Sequence, residues 1–165
     1  MAEITLYFVA GKDNLVSRII RGAELGFPYS HVGAMLPDGR LISAHAPDGV
    51  QIRTETDESP WERWAYVYLP CTQLQSTMHA NWLFSQIGKP YDMAAIGYVA
   101  EGLLTSKPTP SGWPSAWICS SLQFEAIAHP DVGLFPWRPS ALRTVTPEML
   151  MYACTGVPGS RMVIR

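Results

Sequence analysis

Charge is scarce in this chain, and cysteine scarcer. Only 16% of the 165 residues are Asp, Glu, Lys or Arg, the formal net charge is -2, and no run of five or more basic residues occurs. A nucleic-acid surface needs clustered lysines and arginines to replace counterions along the phosphates, so nucleic acid is excluded as a partner. Three cysteines, at 71, 119 and 154, are odd in number, widely spaced and without a CxxC pair. Neither a disulfide framework nor a cysteine-rich zinc site follows from that pattern. One reactive thiol and two packed ones is the simplest reading.

Long apolar runs are missing as well. Nothing approaches the ~18 consecutive apolar residues of a membrane span, so no integral membrane segment is expected. The first residues, Met1-Ala2-Glu3-Ile4-Thr5-Leu6-Tyr7-Phe8-Val9, lack a positive stretch followed by an apolar one. The expectation is a chain made in the cytoplasm without a secretory signal, open to delivery by a phage particle or a dedicated secretion system.

What is present is a folding composition. Hydrophobic residues make up 47%, enough for a core, and the length suits a single domain over residues 1–165. Fourteen prolines and thirteen glycines predict short elements joined by many turns. Alternating β-formers predict a strand over 3–9, and Asp13 is suited to cap a helix to about 24, with Leu15, Ile19 and Ala23 on one side. Strands follow over 29–36, 40–46 and 50–53, the first two joined by the hairpin signal Pro37-Asp38-Gly39. Another strand covers 65–69, stopped by Pro70. A helix begins at Ser76 or Thr77 and ends at Gly88-Lys89-Pro90. Asp92 caps a second helix to about 104, and a Pro-, Ser-, Thr- and Gly-rich loop runs over 105–114. Trp117 to Ala126 reads as the start of a helix that ends before His129-Pro130. Thr146 and Pro147 open the last helix as N-cap and first helical residue, and 161–165 returns as a strand. The fold class is α+β, a small antiparallel sheet packed against helices.

Cys119 is the first candidate for chemistry. At a helix start, unpaired N–H groups and the macrodipole favour an anion, and the thiolate is the nucleophilic form of cysteine. Ser120 and Ser121 follow in the first turn, where backbone N–H groups are available to a developing oxyanion. The competing reading is a buried cysteine packed as a small hydrophobe. His31, in Tyr29-Ser30-His31-Val32-Gly33, is a candidate base on a strand. His45, on the paired strand, shares a face with Ser43 by the period-two rule, so either residue is suited to orient His31. His79 and His129 sit in ordinary helical settings, and Cys71 and Cys154 read as packing residues. Trp113 and Trp117 flank the approach to Cys119; the tryptophans at 61, 64, 82 and 137 read as core or loop anchors. Two histidines and a distant cysteine make a poor zinc set.

These residues also carry a resemblance. Ser30-His31-Val32-Gly33 comes early, Gly88-Lys89-Pro90-Tyr91-Asp92 in the middle and Ile118-Cys119-Ser120-Ser121-Leu122 late, followed by Pro139-Ser140-Ala141-Leu142 and Thr146-Pro147-Glu148-Met149-Leu150. That order resembles the circularly permuted NlpC-type papain-like enzymes, over roughly residues 5–152. The resemblance implies a permuted papain-like fold and attack on an amide, ester or thioester carbonyl, with no metal or organic cofactor. It implies Cys119 as nucleophile, His31 as general base and His45 as the third polar residue; Tyr91 falls near the site without an assigned role. Some relatives carry a glutamate near the position of Ser43, and others an Asn-Cys-Glu-His type motif; this chain has neither. The function expected is an endopeptidase or amidase on bacterial cell-wall peptides. The alternatives are an acyltransferase or esterase on lipid or thioester substrates, and a non-catalytic binding module on the same scaffold. A small peptide or acyl substrate is the expected partner, and the oligomeric state is not readable.

Overall fold

A computed structural model describes residues 2–10, 18, 22, 27–58, 64–97, 116–135 and 145–165. The strands are β1 (Ala2–Val9), β2 (His31–Met35), β3 (Leu41–His45), β4 (Gly49–Arg53), β5 (Trp64–Cys71) and β6 (Arg161–Ile164). They form one antiparallel sheet in the order β4-β3-β2-β1-β5-β6. The helices are α1 (Glu55–Glu58), α2 (Gln73–Ser85), α3 (Cys119–Ala128) and α4 (Pro147–Thr155), with a further helical stretch over 93–97. The α+β class and the antiparallel sheet agree with expectation. No described helix is long and apolar enough to cross a membrane.

Strand alternation explains where the main core lies. Ile4, Leu6 and Phe8 of β1, Val32 and Ala34 of β2, and Ile42 and Ala44 of β3 pack with Leu122, Phe124, Ala126 and Ile127 of α3 and Leu150 of α4. The odd positions of β1, Tyr7 and Val9, join Leu41 and Tyr66 in a smaller cluster on the opposite face. The period of two thus makes both faces of the central strands buried.

Two expected boundaries move. β5 does not stop at Pro70 but runs to Cys71, because Pro70 pairs with Glu3 of β1. β6 flanks β5 only from Ala65 to Tyr68, so the missing N–H leaves no ladder bond open on that side. Helix α2 starts at Gln73 rather than at Ser76 or Thr77. Thr72 is the N-cap: Gln75 N donates to its hydroxyl at 3.2 Å, and Thr72 N donates to Gln75 Oε1 at 2.9 Å, a reciprocal box. Thr146 caps α4 as expected, accepting from Met149 N at 3.2 Å, and Asp92 accepts from Ala95 N at 3.0 Å. Arg18 and Gly22 are helical, but most of the helix expected over 13–24, with Leu15, Ile19 and Ala23, lies outside the described residues. So do the loop over 105–114, the Pro139-Ser140-Ala141-Leu142 segment and Trp61, Trp113 and Trp137.

One histidine of α2 is not ordinary. His79 is buried, its Nε2 has no hydrogen-bond partner among the described residues, and burial lowers its pKa to about 4. The folded state therefore refuses a proton that the unfolded chain accepts below about 6.5. The stability that follows is complete above that value and is lost as pH falls toward 4, about 3 kcal/mol in all. Melting temperature against pH is expected to drop across that interval, and His79→Leu is expected to flatten the drop.

Candidate active site

The hairpin of β2 and β3 brings two imidazoles together. Its turn closes with Leu36 N donating to Arg40 O at 2.8 Å and with Gly39 at φ +83°, a conformation that favours glycine. Ala34 pairs with Ile42 and Met35 with Leu41. His31 is the first residue of β2 and His45 the last of β3, so both stand at the end of the hairpin away from its turn. Their ring centroids are 4.7 Å apart, tilted by 32°, and both side chains are buried. Burial, then the neighbouring His45, then the Arg53 charge hold the His31 pKa well below its ordinary 6.5. The ring is therefore a neutral imidazole at pH 7, able to accept a proton. Ser43 is engaged differently, for its hydroxyl donates to Val32 O at 2.6 Å and ties β3 to β2.

Cys119 is the first residue of α3. The helix start differs from those of α2 and α4, because Ile118 stands at the N-cap and supplies no side-chain acceptor. Its own N–H donates to Ser121 Oγ at 3.3 Å, and the macrodipole at this helix start favours negative charge beside the thiol. Two buried polar side chains seat the helix. Ser120 Oγ donates to Val145 O just ahead of α4, and Gln123 Nε2 donates to Ile42 O of β3 at 3.0 Å.

A strap over 88–92 links the hairpin side of the sheet to the helix start. Val50 N donates to Lys89 O at 2.9 Å and Gly88 N to Val50 O at 3.0 Å. Gly49 makes this possible: its φ is +89°, and a Cβ there would collide with the Lys89 carbonyl. Beyond Pro90 the strap pairs in parallel with the segment before α3, Trp117 N donating to Pro90 O at 3.1 Å and Asp92 N to Trp117 O at 3.0 Å. Tyr91 lies between them. Its phenol pKa is raised well above 10, by burial first, then by the nearby Cys119 sulfur, then by Asp92. The hydroxyl stays protonated beside the thiol as a hydrogen-bond donor. Because Gly49 pairs with His45, the strap fastens at the sheet end that carries the histidines, and Cys119 shares a packed cluster with Ala44 and Val50.

Next to the thiol is a small recess of about 10 Å3, lined by Ile96, Ile118, Cys119, Ser120, Val145, Thr146 and Pro147. No charged side chain is among them. Trp117, one residue from Ile118, donates Nε1 to Gln86 Oε1 at 3.1 Å and packs edge-on against Trp82.

The remaining candidates are elsewhere. His79 is in α2. His129 ends α3, its Nδ1 3.5 Å from an Asp131 carboxylate oxygen. Cys154 is buried in α4 with its thiol pushed far up by burial, and Cys71, half-buried at the end of β5, is also pushed up by burial. Among the described residues no group of three or more His, Cys, Asp or Glu side chains is arranged to hold a metal ion. Tyr91 is the residue whose position sequence reasoning left without a role; its signal was the Gly-Lys-Pro-Tyr-Asp motif.

No family model and no curated protein sequence matches the chain. Among solved structures it is similar to the crystal structure of metalloprotein yiiX from Escherichia coli O157:H7, DUF1105, with a TM-score of 0.63 and 15% identity, over 96% of this chain and 94% of that one. At that identity the likeness is one of fold alone.

Proposed function

We propose that this chain is a cysteine-dependent hydrolase, an endopeptidase or amidase of the circularly permuted NlpC-type papain-like kind, with Cys119 as nucleophile, His31 as base and His45 as orienting residue. The observation that carries the reading is the placement of Cys119 as the first residue of α3, strapped to the sheet end where His31 and His45 sit with ring centroids 4.7 Å apart. His31 takes the thiol proton as sulfur attacks the carbonyl carbon. The carbonyl oxygen becomes an oxyanion, met by first-turn N–H groups of α3 and by the Tyr91 hydroxyl. The imidazolium then gives its proton to the leaving amine as the C–N bond breaks, leaving a thioester on Cys119. Water, losing a proton to His31, hydrolyses that thioester and restores the thiol. His45, beside His31, limits the orientations its ring can take.

Bacterial cell-wall peptides are the substrate class that the family resemblance favours. The apolar, uncharged lining of the recess beside Cys119 favours a second reading, an esterase or acyltransferase on an acyl ester or thioester. The structural neighbour is described as a metalloprotein. Among the described residues no three potential metal ligands converge, and the proposed reaction uses no metal.

Intact-mass measurement tests the reading. Iodoacetamide is expected to label Cys119 first, because the start of α3 favours its thiolate, and Cys71 and Cys154 more slowly, their thiols being pushed up by burial with no helix start to offset it. Equal labelling of all three would overturn it. A Cys119 adduct or product release with muropeptides supports the peptidase; an adduct formed only with acyl esters or thioesters supports the second reading.

A further inference from the structure

Gly33 of β2 has no side chain, and Tyr7 of β1, its register partner, lays its ring in the space. A Cβ at position 33 would run into that ring. Tyr7 is fully buried, with the Trp64 ring 5.6 Å away and the His31 ring 6.3 Å away. His31 in turn meets His45. Trp64, Tyr7, His31 and His45 therefore form a row of rings across β5, β1, β2 and β3, each spacing within the range of favourable aromatic contact. The proposed reaction makes no use of Tyr7.

We propose that Tyr7 is a positioning residue, a rigid wedge seated over Gly33 that holds the His31 ring against His45. An imidazole at the first residue of a strand is free to rotate about two torsions unless packing removes that freedom. Tyr7 supplies one wall and His45 the other. Trp64 backs the wedge from behind. The ring, rather than the hydroxyl, does the positioning, so phenylalanine is expected to replace it. Methionine, which fills similar volume with a flexible chain, is expected to fail. Gly33→Ala attacks the same wedge from below by displacing the tyrosine ring.

The inference rests on the Cys119–His31 reading, and the test separates the two. The rate of Cys119 alkylation by iodoacetamide is followed by intact mass from about pH 5 to 9, where an ordinary thiol reacts with an inflection near ~8.5. Wild-type protein is expected to react faster than an ordinary thiol at pH ~6, because a positioned imidazole withdraws the proton. Tyr7→Met and Gly33→Ala are each expected to lose about tenfold of that low-pH rate and to move the inflection toward ~8.5, while Tyr7→Phe keeps the wild-type profile. Melting curves restrict the comparison to temperatures at which every variant is folded. A wild-type profile in folded Tyr7→Met and Gly33→Ala would overturn the wedge. So would a defect in Tyr7→Phe equal to that in Tyr7→Met, which would move the role to the hydroxyl. Ordinary thiol behaviour in the wild type would instead remove the Cys119–His31 reading on which the wedge depends.

Discussion

Cys119→Ala is expected to lower turnover by roughly four orders of magnitude or more, to the level left by binding alone. The size follows from the role: without sulfur no thioester forms, and neither the first-turn N–H groups nor the Tyr91 hydroxyl can substitute for a nucleophile. The structural cost is small by comparison. Alanine removes one buried atom from a position already seated by Ser120 and Gln123, a change of about 1 kcal/mol. Melting temperature should therefore fall by only a few degrees while turnover vanishes. Cys154→Ala is the matched control, since Cys154 is equally buried, and it should lose stability without losing turnover. If Cys119→Ala kept measurable turnover, or if the two alanine variants behaved alike, the thiol would have no chemical part to play.

His31→Asn is expected to cost about 10² to 10⁴ in kcat/KM, the usual contribution of a positioned base. Asparagine keeps a polar group of similar reach but cannot accept the thiol proton. The pH profile carries a second expectation, with a definite sign. His31 titrates well below 6.5, because burial, His45 and Arg53 all oppose its charged form. The base form is thus populated at pH 7 and persists on mild acidification. The acid limb of kcat/KM should fall below 6.5, and that limb should disappear in His31→Asn. An acid limb near or above pH 7 would mean that some other group governs proton removal.

Local chemistry was readable before the fold was known. The Pro37-Asp38-Gly39 turn, the Asp92 and Thr146 caps and the helix beginning near Cys119 each depend on a few neighbouring residues, and each is found where expected. The Thr72–Gln75 box was equally local but went unread, with the helix start set too late. Pro70 was misread for a different reason: whether a proline ends a strand depends on which neighbour flanks it, and here β6 stops short. The histidine pair needed the hairpin register, which a sequence does not display. Tyr91 needed more still. Its approach to Cys119 depends on Gly49 admitting the Lys89 carbonyl, a meeting of segments forty residues apart. Likewise Gly33 has a meaning only once Tyr7 is seen to occupy the space above it.

The loop that joins β2 to β3 lies at the far end of the hairpin from the two imidazoles. Four or five residues at about 3.3 Å each separate them by roughly 15 Å. Residues 37–40 are exposed, and Arg40 is held by Asp38 at 2.7 Å. The tip is therefore a natural handle: a dye, an affinity peptide or a surface linkage mounted on it would travel with the strands that bear both rings, yet stay out of the way of whatever enters beside the sulfur.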